Sequence, residues 1–84
     1  MKDNKSFFEE KFLLKYKNFI NEIESNKVNT IEEIEYNSYY KFLPFKVEAD
    51  VINLFDTFYF DVIFLDKTYR YNFSTKEIEI IYDD

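Results

Sequence analysis

Phe45-Lys46-Val47-Glu48-Ala49-Asp50-Val51 alternates apolar and charged residues, and Phe58-Tyr59-Phe60-Asp61-Val62-Ile63-Phe64-Leu65 follows with a single charge in its length. Successive side chains of a strand point to opposite faces, so the first stretch reads as a strand with one buried face. The second is apolar on both sides and reads as a central strand that needs cover on both. Residues 68–73 put Tyr69, Tyr71 and Phe73 on one face. Residues 77–82 alternate again, with Ile78, Ile80 and Tyr82 opposite Glu77, Glu79 and Ile81. Asp56-Thr57, Asp66-Lys67 and Ser74-Thr75-Lys76 are the expected turns. Connections this short cannot carry parallel crossovers, so the strands form an antiparallel meander.

Upstream the period changes. In residues 6–25, Phe8, Phe12, Tyr16, Phe19, Ile20 and Ile23 recur at steps of three and four, with Leu13 at the edge of the arc. That spacing predicts one long amphipathic helix. Ser6 and Glu9 have the capping-box separation at its start. Phe7 and Leu14 fall off the stripe, either packing locally or forming a small second contact surface. The stretch 25–29 is a turn, in which Asn26 takes the left-handed conformation that ends many helices. Residues 30–43 carry two patterns. Thr30 with Glu33 is a second capping box, and Ile31, Ile34, Ser38 and Phe42 share a helical face. As a strand, Ile34, Tyr36, Ser38, Tyr40 and Phe42 would alternate with Glu33, Glu35, Asn37, Tyr39 and Lys41. The cap favours a short helix, with an extra strand as the alternative, and Pro44 ends or kinks the element.

The expected architecture is α+β in a single domain, 1–84. A long N-terminal amphipathic helix packs on a three- to four-stranded antiparallel β-meander, with a short second helix or extra strand at about 30–43. The Tyr59, Ile63 and Leu65 side of the central strand needs cover from residues 30–43 or from a partner. The segment running from Phe58-Tyr59-Phe60-Asp61-Val62 through Tyr69-Arg70-Tyr71-Asn72-Phe73-Ser74-Thr75-Lys76-Glu77-Ile78 resembles the closing hairpins of PepSY-type domains. Those domains usually carry a Gly in the last turn. The resemblance implies the order of helix before meander and nothing about activity.

What is missing excludes much chemistry. The 84 residues contain no Cys, His, Gly or Trp. Without Cys there is no disulfide framework, thiolate zinc site or thiol nucleophile. Without His the commonest general base and transition-metal ligand are gone. Without Gly there is no phosphate-cradling loop or dinucleotide fingerprint, and turns fall to Asn, Asp, Ser, Thr, Lys or Pro44. The start lacks a signal-peptide core and no run is long enough to span a membrane, so a cytoplasmic location, in a bacterial host cell, is expected. No cofactor, no catalytic residue and no metal ligand is expected. Asp61 interrupts an apolar strand and reads as a structural carboxylate paired with Arg70 or Lys67. Asp83 and Asp84 read as an acidic tail.

The charge is uneven. Residues 1–29 carry a net charge of +1 and residues 30–84 carry -7, within a total of -6. Direct nucleic-acid binding needs a basic footprint that this chain lacks. Glu77 and Glu79, like Glu48 and Asp50, would point the same way about 6.6 Å apart along a strand. Rows of carboxylates at that spacing imitate a phosphate backbone. Tyr36, Tyr39, Tyr40 and Leu43 lie off the core face of the second segment, rimmed by Glu32, Glu33 and Glu35, and Tyr is favoured at contact surfaces. The expected protein-binding residues are therefore Glu32, Glu33, Glu35, Tyr36, Tyr39, Tyr40, Glu77 and Glu79. Phe, Tyr, Asn, Ile and Lys supply 46 of the residues, which points to an AT-rich gene. Size, charge and composition together resemble the profile of phage and mobile-element inhibitors, anti-CRISPR proteins among them. The expectation is a non-enzymatic protein-binding module whose protein partner has a basic surface, with no membrane and no direct nucleic acid. A homodimeric structural or adaptor domain burying the spare sheet face, and a toxin-immunity protein, are the alternatives.

Overall fold

The computed structural model describes residues 4–27 and 30–82. Helix α1 (Asn4–Glu24) is followed by α2 (Ile31–Lys41) and four strands, β1 (Glu48–Leu54), β2 (Thr57–Phe64), β3 (Lys67–Asn72) and β4 (Ile78–Tyr82). The strands form one antiparallel sheet in the order β1-β2-β3-β4. The fold is α+β, with the long helix, short helix and meander expected. The end of the 25–29 turn and the Asp83-Asp84 tail lie outside the described residues.

The helical stripe is the core. Phe12, Tyr16, Phe19, Ile20 and Ile23 are buried against Phe60, Val62, Phe64, Tyr69 and Tyr71 of the sheet. The Phe12 ring packs on Phe64 and Tyr69 at centroid distances of 4.5 and 4.7 Å. Tyr16 is fully buried, and its hydroxyl lies 2.9 Å from the Phe60 carbonyl and 3.1 Å from the Tyr69 carbonyl. Burial, ahead of the nearby Asp61 charge, pushes the Tyr16 phenol far above its ordinary range. At the end of α1, Asn26 has φ 62°, its amide donates to the Ile23 carbonyl, and the Lys27 amide donates to Glu22. These are the two bonds of a Schellman cap, made here with Asn in the place of Gly.

Two details of α1 differ from expectation. The helix begins at Asn4, so Ser6 lies inside it rather than at its cap, and Glu9 pairs with Lys67 of β3 instead of reaching back. Phe8 is half-exposed, and its ring meets Phe7 and Phe45 edge to face. Phe7 is half-exposed to the same degree, and Leu14 is exposed.

Residues 31–41 are helical. The Thr30 hydroxyl accepts from the Glu33 amide at 3.1 Å, which supplies the cap that a strand could not use. Ile34, Ser38 and Phe42 are buried, while Ile31 is exposed. The helix lies on the same side of the sheet as α1, against β1, so it leaves the Tyr59 and Ile63 face uncovered. The expectation that this segment might cover that face is thereby corrected. Phe42 explains the placement: its ring fits among Phe12, Tyr16 and Phe19, and these lie on the α1 side.

The first two hairpins turn one residue earlier than expected, while the third spans the expected Ser74-Thr75-Lys76. Leu54 pairs with Thr57 and Phe64 with Lys67, so the loops are Phe55-Asp56 and Leu65-Asp66. β1 accordingly runs on to Leu54. Phe55, Asp56 and Leu65 have φ of 52°, 65° and 58°. A left-handed residue with a Cβ costs roughly 1–2 kcal/mol. The register of the buried face imposes that cost. Ala49 and Val51 stand opposite Val62 and Phe60, and a slip of one residue would send every one of these side chains to the other face. Turn propensity alone places no Phe or Leu in such a loop.

Candidate protein-binding surfaces

One face of the sheet carries no layer of structure among the described residues. By the strand register it presents Glu48, Asp50, Ile52 and Leu54 from β1 and Tyr59, Asp61 and Ile63 from β2. Thr68, Arg70 and Asn72 come from β3, and Glu79 and Ile81 from β4. Asp50, Asp61, Arg70 and Glu79 stand directly opposite one another in turn, so one charged row crosses all four strands.

Arg70 is the cation of that row, and Asp61 claims it. The guanidinium Nε lies 2.8 Å from Asp61 Oδ1 and an Nη lies 2.7 Å from Oδ2. The side chains are 23% and 14% exposed, which places this bidentate pair between a surface and a buried one. The guanidinium also stacks on the Tyr59 ring, 4.9 Å from its centroid. The hydrogen bond to Asp61 holds the Arg70 pKa above its already high value. Lys67, the other candidate partner, points to the helix side and pairs with Glu9.

With Arg70 occupied, the acids around it set the sign of the face. Glu48, Asp50, Glu77 and Glu79 are exposed, and none has an ion-pair partner among the described residues. Two shallow hollows lie on this face. One, about 420 Å³, is bounded by Glu48, Asp50, Ile52, Asp61 and Ile63. The other, about 280 Å³, is bounded by Tyr59, Arg70, Asn72, Glu77 and Glu79. The face therefore alternates carboxylates with apolar and aromatic area.

The α2 residues form a separate surface. Tyr36, Tyr39 and Tyr40 are exposed, Tyr39 to 82%, as is Leu43. Tyr36 and Tyr40 meet edge to face at 6.0 Å, and the Tyr40 hydroxyl bonds the Asn37 side chain. Glu32 and Glu33 are exposed, but Glu35 turns toward the sheet and accepts from the Val51 amide at 3.4 Å. Glu35 is thus tied to the edge of β1. A cleft of about 440 Å³ runs between α2 and that edge, past Ser38, Tyr39, Leu43 and Asp50.

The two groups of expected binding residues do not converge. The α2 group sits over β1 on the helix side, while Glu77 and Glu79 lie by β4 at the opposite edge, with Glu79 on the open face. Glu79 instead joins Glu48 and Asp50. Ile81 shares the face of Glu79 as the alternation of residues 77–82 implies, whereas Ile52, the exposed tip Phe55, and the half-exposed Leu54 and Phe58 are apolar surface that the alternation does not place. The apolar residues on both sides of residues 58–65 were the signal for the open face; Ile52 was hidden by ending the first strand too early. Among the described residues no group of three or more acidic side chains is arranged to hold a metal ion, and no helix is long and apolar enough to cross a membrane. No family model matches the chain, and no curated protein or solved structure is significantly similar to it.

Proposed function

We propose that the chain is a non-enzymatic protein-binding module that blocks a nucleic-acid-handling protein by covering its basic surface. One observation carries the reading. The uncovered sheet face combines Glu48, Asp50, Glu77 and Glu79, which have no ion-pair partner among the described residues, with Tyr59, Ile52, Ile63 and Ile81, while Arg70 on the same face is neutralised by Asp61. Carboxylates spaced along strands supply the repeating negative charge that a basic groove selects. The apolar residues between them supply contact area that salt does not screen. The α2 tyrosines serve as a second contact or as part of a wrapped interface. In this reading the protein acts in the cytoplasm of a bacterial host, as an inhibitor of phage or mobile-element type.

The test begins with capture from native-host cells after nuclease treatment, at low and high salt, followed by affinity measurement with the purified partner. The expected partner binds nucleic acid, releases it on adding this protein, and loses affinity as salt rises. Glu48→Lys with Asp50→Lys should weaken the complex by at least about tenfold, since each close charge pair is worth of order 1.5 kcal/mol or more. A complex indifferent to both salt and charge reversal would end the mimicry reading.

A further inference from the structure

Among the described residues no strand pairs with the outer edge of β1 or of β4, and the two edges are unlike. The alternation of hydrogen-bonded pairs turns the amides of Ala49, Val51 and Asn53 outward on β1, and the Glu35 carboxylate accepts from the middle one. On β4, the bond from the Asn72 amide to the Glu77 carbonyl turns Glu79 and Ile81 toward β3, and Ile78, Ile80 and Tyr82 outward. Among the described residues nothing caps those outward amides as Glu35 caps Val51. The strand Ile78-Glu79-Ile80-Ile81-Tyr82 has no Pro, no Lys and no bulge to blunt it. Glu79 is the charge that this five-residue strand carries, and the row of outward amides beside exposed Tyr82 remains a template for pairing with another strand.

We propose that β4 pairs with β4 of a second copy, antiparallel across a two-fold axis through Ile80. The charges select this register. Centring the axis on Glu79 would set two carboxylates face to face in the close type of antiparallel pair. Centring it on Ile81 would match only residues 80–82 of the strand. Centring it on Ile80 matches the whole of β4 and sets Glu79 opposite the partner's Ile81 and Ile78 opposite the partner's Tyr82. No like charges then meet within the paired strands. Each outward amide finds a carbonyl, and the exposed Tyr82 gains cover. The axis stands perpendicular to the sheet, so both helical layers fall on one side and the two acidic faces merge on the other. This pairing does not depend on the proposed function.

The experiment is the solution mass by sedimentation, from micromolar to near-millimolar concentration, on the intact chain and two variants. The wild type should move from 10.4 kDa toward twice that mass, and more readily as salt rises, because each copy carries -6. Salt should act in the reverse sense on a complex with a basic partner, so the two ideas fail separately. Ile81→Glu sets a carboxylate opposite the partner's Glu79 at two places per dimer and should raise the dissociation constant on the order of tenfold. Ile81→Lys, which sets a cation there, should leave the dimer as tight or tighter. Ile81 lies on the open face, and circular dichroism checks that both variants fold. A wild type that stays at 10.4 kDa overturns the proposal, as does a dimer unmoved by Ile81→Glu or dissociated equally by both variants.

Discussion

Replacing Asp61 with Asn should destabilise the domain, and replacing Arg70 with Met should do so more. The Asp61–Arg70 pair has two hydrogen bonds of 2.7–2.8 Å and is mostly shielded from water. A hydrogen bond to a charged group contributes about 1.5–3 kcal/mol, against less than about 1 kcal/mol for an exposed ion pair. In Asp61→Asn, Arg70 keeps the Tyr59 ring and can turn to Glu79 across the strand. A loss of about 2 kcal/mol is expected, or a fall in Tm of roughly 8–16 °C for a domain of this size. In Arg70→Met, Asp50, Asp61 and Glu79 are left in one row without a cation, and the expected loss is about 3 kcal/mol. The Arg70→Met variant should also gain stability as pH falls from neutral. A carboxyl among like charges has a folded pKa above its unfolded one, so its favourable contribution is complete at low pH and is lost as pH rises through the raised value. The assay is urea unfolding followed by circular dichroism across that range, with unchanged m-values as the control. Equal losses below about 0.5 kcal/mol for both variants would show the pair to be an ordinary surface contact and refute the argument.

Alkaline pH should unfold the protein through its tyrosines. Burial and the bond to Glu24 raise the Tyr71 phenol to about 12, and burial raises Tyr16 and Tyr69. Their stabilisation is complete below the ordinary value of 10.0 and drains away as pH rises through the raised ones, so tyrosinate absorbance should show a late, cooperative step that Tyr71→Phe diminishes. Phe55→Asn with Asp56→Gly should stabilise the β1–β2 hairpin by about 1 kcal/mol in thermal melts, because Phe55 is fully exposed and both residues hold positive φ. Thr30→Ala should cost about 1 kcal/mol through loss of the α2 cap, and Thr30→Ser should restore most of it.

Local signals decided most of the element types. The Thr30 cap marked α2 against a competing strand pattern, and the three-and-four spacing from Phe12 to Ile23 marked both α1 and its buried stripe. The short polar connections were enough to establish an antiparallel meander, since chain length alone forbids a crossover. That Asp61 pairs with a cation of the next strand was legible for a similar reason, since a charge in an apolar strand must find a partner nearby; the structure chose Arg70 over Lys67, which faces the helix side and Glu9. Tertiary structure decided the rest. Phe55 and Leu65 occupy left-handed turn positions that their side chains disfavour, because the pairing of Val51 with Phe60 and of Val62 with Tyr69 fixes the register and the loops take what remains. The side of the sheet that α2 covers depended on where the Phe42 ring could pack, a contact between residues 42 and 12 that no local pattern encodes. For the same reason the acidic residues sorted onto two separate surfaces. Glu79 lies with Glu48 and Asp50, far from it in the chain, while Glu35 is drawn away to the β1 edge. Composition determined that the protein is acidic and aromatic; only the sheet's register determined which of those side chains share a face.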